Sequence, residues 1–270
     1  MKKIQVEKIK GWKELEKSLR LRPVAVPKEC RLVVGDAIIT ENDFPVIGYY
    51  NLKDGFAPLV NVLKKIRYQA TERTGGLPTR SRIFGSSPRV TIRKDYCSRC
   101  EFTYEDSKAD DLLKSWGKKI EKYYDKTEPN TFCVHKTLVD AILPEWRMGE
   151  SIWTQGIVNW NNQLRFHKDQ GNFPHTWSAM LTFREGISGG YLYLPRYNIA
   201  LACGNGSLTL FNGQEILHGV SPIQKLSIKA YRYSIVYYSL KQMSKCMSTE
   251  QELGRIRKVK TERERKRVKS

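Results

Sequence analysis

The sequence predicts an α+β fold: a jelly-roll-like double sheet supported by helices from the N-terminal half. Three observations carry this expectation. From Ile152 to Leu240, short β-branched and aromatic runs alternate with Gly, Asn and Pro, in IWTQGIVNW, TWSAMLTF, GGYLYLP, GSLTLF and YRYSIVYY. Several short strands at close spacing are the mark of an all-β sandwich or barrel. Earlier in the chain the apolar residues recur at helical spacing instead. With 270 residues, 40% of them hydrophobic, the chain can bury one sizeable core. The expected division is a helical or irregular support region with a basic arm over 1–150, a jelly-roll core over 151–240 and a basic tail over 241–270.

The elements follow in chain order. Between Met1 and about Arg22, residues Ile4, Val6, Ile9, Trp12 and Leu15 suggest a weak helical face, closed by Pro23 and Pro27. A short strand is expected at Arg31–Gly35. Phe56 to Ala70 reads as a helix with Leu59, Val60, Val62, Leu63 and Ile66 near one side. Thr71 to Lys94 reads as an irregular arm, in which Arg80, Arg82, Arg89 and Arg93 stand among Gly, Pro and Ser. Such an arm either follows a phosphate backbone or lies solvated. Helices are expected from Asp110 to Tyr124 and from Val134 to Leu143, the second stopping before Pro144.

The formal net charge is +19, and the last thirty residues hold eleven Lys or Arg against four Glu, so body and tail are both basic. Such an excess attracts polyanions, of which nucleic acid is the commonest. A membrane partner is not expected. No apolar run reaches the length of a transmembrane helix, and no segment sets a clean apolar face against a basic one.

The N-terminus has no apolar signal region. The expected location is therefore intracellular, in cytoplasm or nucleus, with the six cysteines as free thiols or metal ligands. Cys97-x-x-Cys100 and Cys133-x-His135 offer a four-ligand set for a structural zinc.

The chemistry concentrates in a few residues. His167-x-Asp169 places two ligands on one face of an extended segment. His218 follows in a strand-and-turn context, SLTLFNGQEILHGVSP. Two histidines and a carboxylate on one side of a metal leave open positions, the facial triad of non-haem Fe(II) oxygenases. Fourteen residues after His218 comes Arg232, with Ser234 on the same strand face. A guanidinium fork grips a carboxylate in bidentate fashion and a hydroxyl adds a donor. Each residue alone has an ordinary reading as a surface, core or strand residue. Their order on expected strands makes them a site.

In this pattern the chain resembles the Fe(II)/2-oxoglutarate dioxygenase superfamily with its double-stranded β-helix. The residues that carry the resemblance are the H-x-D pair, GGYLYLP, SLTLFNGQEILHGV and the trailing R-x-S. It is most similar to the TET/JBP branch, on HGVSP, the R-x-S spacing and the upstream SRIFGSSPR, and would be a compact microbial or viral form.

The resemblance implies Fe(II) held by His167, Asp169 and His218, and 2-oxoglutarate anchored by Arg232 and Ser234. It further implies hydroxylation of a 5-methyl pyrimidine in DNA, duplex with a flipped base or single-stranded, with 5-methylcytosine favoured over thymine. Counting back from His167 along an extended strand brings Asn161 and Asn159 to its face, and Asn172 lies just past Asp169. These amides are candidates for contacting the base. The alternatives are a 2-oxoglutarate oxygenase acting on protein, RNA or a small molecule, and a DNA-binding module without catalysis.

Overall fold

The structure is a computed structural model that describes residues 1–73, 77–89 and 96–269. Seven strands precede residue 100: β1 (Lys2–Val6), β2 (Arg31–Val33), β3 (Ala37–Glu41), β4 (Phe44–Asn51), β5 (Gln69–Arg73), β6 (Leu77–Ser87) and β7 (Ser98–Arg99). Nine follow: β8 (Gln155–Trp160), β9 (Ser178–Glu185), β10 (Ile187–Gly189), β11 (Leu192–Leu194), β12 (Ile199–Leu201), β13 (Ser207–Phe211), β14 (Gly219–Val220), β15 (Ile223–Lys225) and β16 (Tyr231–Tyr238). The helices are α1 (Trp12–Leu19), α2 (Ala57–Lys65), α3 (Glu101–Glu105), α4 (Ser107–Thr127), α5 (Pro129–Asp140) and α6 (Thr249–Lys269).

A large sheet runs in the order β1-β3-β4-β13-β9-β16-β8-β6-β5, with β7 added beside β6. A smaller sheet has the order β14-β11-β12-β2. Ile39, Ile47, Met180 and Phe211 of the large sheet meet Leu192, Leu194, Ile199 and Leu201 of the small one. On the opposite face of the large sheet, α2 and α4 lay Leu59, Leu63, Leu113 and Tyr124 against Leu181, Leu208, Ile235 and Tyr237. Burying a side chain of this kind contributes roughly 1.5–3 kcal/mol. This is the expected α+β arrangement, a double-sheet core backed by helices.

The period of two on the central strands builds the site. Along β16, Tyr233, Ile235 and Tyr237 enter the helix-side core, whereas Arg232, Ser234 and Val236 face a pocket between the sheets. Ala179 and Leu181 of β9 join the helix-side core while Ser178 and Met180 line the pocket. On β8, Val158 faces the helices, and Gln155, Ile157 and Asn159 face the pocket.

Several expectations are corrected. The first half is far from purely helical or irregular, since β1, β3, β4, β5 and β6 all belong to the large sheet. Ile4 and Val6 are buried while Lys3 and Gln5 are exposed, which is strand alternation. β1 pairs in parallel with β3. Helix α1 begins only after Gly11, whose φ of 72° breaks the chain direction.

Over its described residues, 71–73 and 77–89, the arm is no loose loop either. β5 and β6 pair antiparallel, and β6 continues onto β8 from Ser81 opposite Asn159 to Gly85 opposite Gln155. Arg82 is buried and paired with Glu101 and Glu105. Arg89 is bound through Nε, at 3.0 Å, to both carboxylate oxygens of the buried Glu252. These two arginines spend their charge inside the protein and are not free for phosphates. Arg80 lies over the Trp160 ring at 4.8 Å, and Arg93 lies outside the described residues.

The zinc expectation is overturned. Cys97 forms a disulfide with Cys246, across 149 residues of sequence. Cys133 is exposed, whereas His135 is fully buried against Tyr124 and Trp153. Residues two apart on a helix point in nearly opposite directions, so the Cys133-x-His135 pair on α5 cannot converge. Cys100 is a buried thiol, 3.3 Å from the Ser87 hydroxyl. The disulfide also overturns the expectation of six reduced cysteines. Among the described residues, no helix is long and apolar enough to cross a membrane.

Candidate functional site

A pocket of about 500 Å³ opens between the two sheets. His167, Asp169 and His218 stand at its wall, together with Arg232, Ser234 and Asn159. Reciprocal backbone bonds fix the triad: His167 N–H donates to the His218 carbonyl at 2.9 Å, and His218 N–H returns to His167 at 3.0 Å. Asp169 N–H donates to the Gly213 carbonyl at 2.8 Å. Segments far apart in sequence are thus held by main-chain hydrogen bonds rather than by side-chain packing alone.

The three side chains converge. One ligand atom from each lies within 4.8 Å of the other two, the only such His/Cys/Asp/Glu group among the described residues. His167 Nε2 is 3.7 Å and His218 Nε2 is 3.8 Å from Asp169 Oδ1. Each imidazole is oriented by its far nitrogen: His167 Nδ1 lies 2.8 Å from the Arg165 carbonyl and His218 Nδ1 2.9 Å from that of Ile216. A carbonyl can only accept, so Nδ1 carries the proton and the Nε2 lone pairs face one another and the carboxylate. Burial, and then the neighbouring His167 ring, push the His218 pKa down to about 4. It is therefore neutral at physiological pH, the form that binds metal. A Cβ on Gly213 would sit 2.1 Å from Asp169 Oδ2, so glycine is what admits the carboxylate. The donor set, its geometry and its protonation fit a divalent ion such as iron.

Arg232 is 2% exposed, and its Nε and Nη2 have no hydrogen-bond partner among the described residues. Burial, with a further push from Arg184, holds its pKa below the ordinary arginine value. Unsatisfied donors on a buried charge are costly and call for an anion. Gly190, at φ 69°, lets the chain pass the guanidinium, since a Cβ there would lie 3.1 Å from Arg232 Nε.

The amides divide. Asn159 lines the pocket, where its Oδ1 accepts from the Ser81 hydroxyl (2.9 Å) and from Asn162 Nδ2 (3.0 Å). Its Nδ2 donates to Ser234 Oγ at 3.3 Å. Asn172 also lines the pocket, donating to Ser178 Oγ at 3.1 Å.

Asn161 does not face the pocket as expected. β8 ends at Trp160 and Asn161 is left-handed, with φ 52°, so the extended count back from His167 fails. Its side chain instead accepts from the Arg232 N–H at 2.7 Å and fixes the start of β16. The residue missed by the sequence reading is Asn162, which takes the inward position one place later. The paired Asn161-Asn162 at a strand end was the available signal, because Asn readily adopts φ above zero.

Comparison with known proteins agrees with this geometry. The family described as the oxygenase domain of the 2OGFeDO superfamily, Tet_JBP, matches residues 89–241. No curated protein matches the sequence. The fold is similar to that of NgTET1 in complex with 5mC DNA, with a TM-score of 0.60 at 12% identity, covering 84% of this chain and 91% of that one. A weaker likeness, TM-score 0.47 at 10% identity over 72% of this chain and 85% of the other, is to a 2OG-Fe(II) oxygenase family oxidoreductase from Burkholderia pseudomallei. The family match spans more than half of the sequence and takes in the whole His–Asp–His group. The chain belongs to the TET/JBP oxygenase family of the 2-oxoglutarate- and Fe(II)-dependent dioxygenase superfamily.

Proposed function

We propose that this oxygenase hydroxylates the 5-methyl group of a pyrimidine in DNA, 5-methylcytosine ahead of thymine. The observation that carries the choice of substrate is a whole-chain net charge of +19 in a protein whose pocket holds about 500 Å³. That volume suits the co-substrate together with one pyrimidine ring. The fold shared with a solved complex containing 5mC DNA supports the same choice.

His167 and His218 would hold iron through Nε2 and Asp169 through a carboxylate oxygen. Arg232 would receive the remote carboxylate of 2-oxoglutarate on its two unpartnered N–H groups, with the Ser234 hydroxyl beside it. When bound, iron and 2-oxoglutarate would supply, with O2 as the oxidant, the chemistry that converts a methyl C–H into an alcohol while 2-oxoglutarate leaves as succinate and CO2. The protein contributes position and dryness: the guanidinium is buried, and Met180, Leu192 and Val220 line the pocket walls. A methyl group in a duplex reaches such a pocket only if its base swings out of the stack. Asn159, Asn162 and Asn172 are the amides within the pocket that could meet its polar edge.

The test is direct. Protein, Fe(II) and 2-oxoglutarate are incubated with methylated and unmethylated DNA, and the digested nucleosides are weighed. The expected product is a 5-hydroxymethyl pyrimidine. Its absence from every DNA rejects this substrate. Succinate release stimulated by RNA or peptide instead would favour the reading as an oxygenase of those polymers. Salt-sensitive DNA binding without turnover would favour a binding module.

A further inference from the structure

A second concavity, of about 530 Å³, runs along α1 and is lined by Trp12, Lys13, Glu16, Lys17 and Arg20 together with Lys168. It meets the metal pocket: Arg20, Lys168, Asp169 and Gln170 border both. We infer that this groove grips the phosphates of the DNA strand that carries the target base, an inference that rests on the nucleic-acid substrate proposed above.

The cations are placed for that role. Lys13 and Lys17 are four apart on α1 and Arg20, three further on, caps its C-terminus with its N–H still bonded to the Glu16 carbonyl, so the three continue one stripe. At 1.5 Å rise per residue, Lys13 and Lys17 are about 6 Å apart along the axis and Lys17 and Arg20 about 4.5 Å. A row of this pitch can follow successive phosphates of an extended strand. All three side chains are exposed, and none is paired with a carboxylate among the described residues.

Two acids line the groove: Asp169 at its end belongs to the metal group, and Glu16 on the floor is already neutralised. Glu16 is buried and bound by Arg196 at 2.8 and 3.2 Å, and Lys168 reaches it at 2.9 Å. Two cations on one carboxylate leave the groove positive. Trp12 lies over the Arg196 guanidinium at 4.0 Å, so its ring is a wall of the groove rather than a free stacking surface. Because the groove ends at Asp169, a nucleotide whose base enters the metal pocket leaves its own phosphates at Arg20 and Lys168. A flat anionic membrane would need an exposed apolar face beside the cations, and the groove is concave and polar.

The test measures binding of a fluorescently labelled oligonucleotide containing 5-methylcytosine to iron-free protein across a range of salt. The Lys13→Ala/Lys17→Ala/Arg20→Ala variant removes three cations from the groove. The Lys53→Ala/Lys108→Ala/Lys126→Ala variant removes three exposed cations elsewhere. If the groove holds three phosphates, the slope of log affinity against log salt becomes shallower by about 2–3 in the first variant only. Its affinity at low salt falls on the order of 10- to 100-fold. Should the triple variant fail to fold, Lys17→Glu alone is expected to weaken binding about tenfold. A groove variant with wild-type affinity and slope overturns the inference, as does an equal loss in both triple variants. Wild-type protein that binds no DNA at any salt overturns the nucleic-acid substrate itself, and this inference with it.

Discussion

Two groups of metal-ligating residue types lie in this chain, and only one of them assembles. His167, Asp169 and His218 bring their ligand atoms within 4.8 Å of one another. Cys97, Cys100, Cys133 and His135 do not come together. One is in a disulfide, one is hydrogen-bonded to Ser87, one is exposed and one is buried among aromatic rings. Local geometry makes the difference. A spacing of two converges on an extended segment, and 167 and 169 lie outside any helix, tied by main-chain bonds to His218 and Gly213. The same spacing diverges on a helix, and 133 and 135 lie on α5. A ligand motif has meaning only with the secondary structure beneath it.

The largest expected effect breaks the assembled group. Asp169→Ala should lower iron affinity by more than about 100-fold, since even outer-shell changes cost 10- to 100-fold. Metal analysis after dialysis should find about one iron per wild-type chain and almost none in the variant. Zinc should be absent from both, and a stoichiometric zinc would restore the discarded site.

Arg232→Met should keep the iron but raise the KM for 2-oxoglutarate on the order of 100-fold, the loss of a charge-assisted bidentate contact of about 3 kcal/mol. Succinate release against 2-oxoglutarate concentration reads this. Gly213→Ala should weaken iron binding about tenfold, as an outer-shell displacement of the Asp169 carboxylate. A circular dichroism spectrum identical to wild type would separate that effect from misfolding.

In the dispersed group the effects are on stability alone. Cys97→Ser/Cys246→Ser should cost about 2–5 kcal/mol on unfolding, because the bond closes a long loop. Iron content should not change. Smallest of all, Cys133→Ala on the exposed side of α5 should stay within about 0.5 kcal/mol of wild type in chemical denaturation.

The site was legible because its residues are chemically distinctive and because Arg232 and Ser234 sit on a strand whose alternation is plain, although His167, Asp169 and His218 lie just outside the strands. YRYSIVYY alone separates Arg232 and Ser234 from the tyrosines and Ile235 of the core. Asn161 was misplaced because a single left-handed residue shifts the register, and pattern counting assumes there is none. β1 was hidden because two alternating apolar residues, Ile4 and Val6, also fit a helical face once Ile9 and Trp12 are added. The hairpin of β5 and β6 was hidden by its Arg, Gly and Pro content, which reads as loop until pairing with β8 supplies the missing hydrogen bonds. The disulfide was not legible at all, since the two cysteines are 149 residues apart and only the fold brings them together.

Three ligands and one buried guanidinium serve a single bound co-substrate in the proposed enzyme. Anaerobic titration of the Fe(II)-loaded protein with 2-oxoglutarate, followed through the visible charge-transfer absorption of the chelate, measures whether they act together. Saturation is expected at about one equivalent per chain, with the band lost in Asp169→Ala and displaced to much higher 2-oxoglutarate in Arg232→Met. A wild-type protein that develops no band, or an Arg232→Met protein that saturates as readily as wild type, would mean that these four residues do not hold the co-substrate.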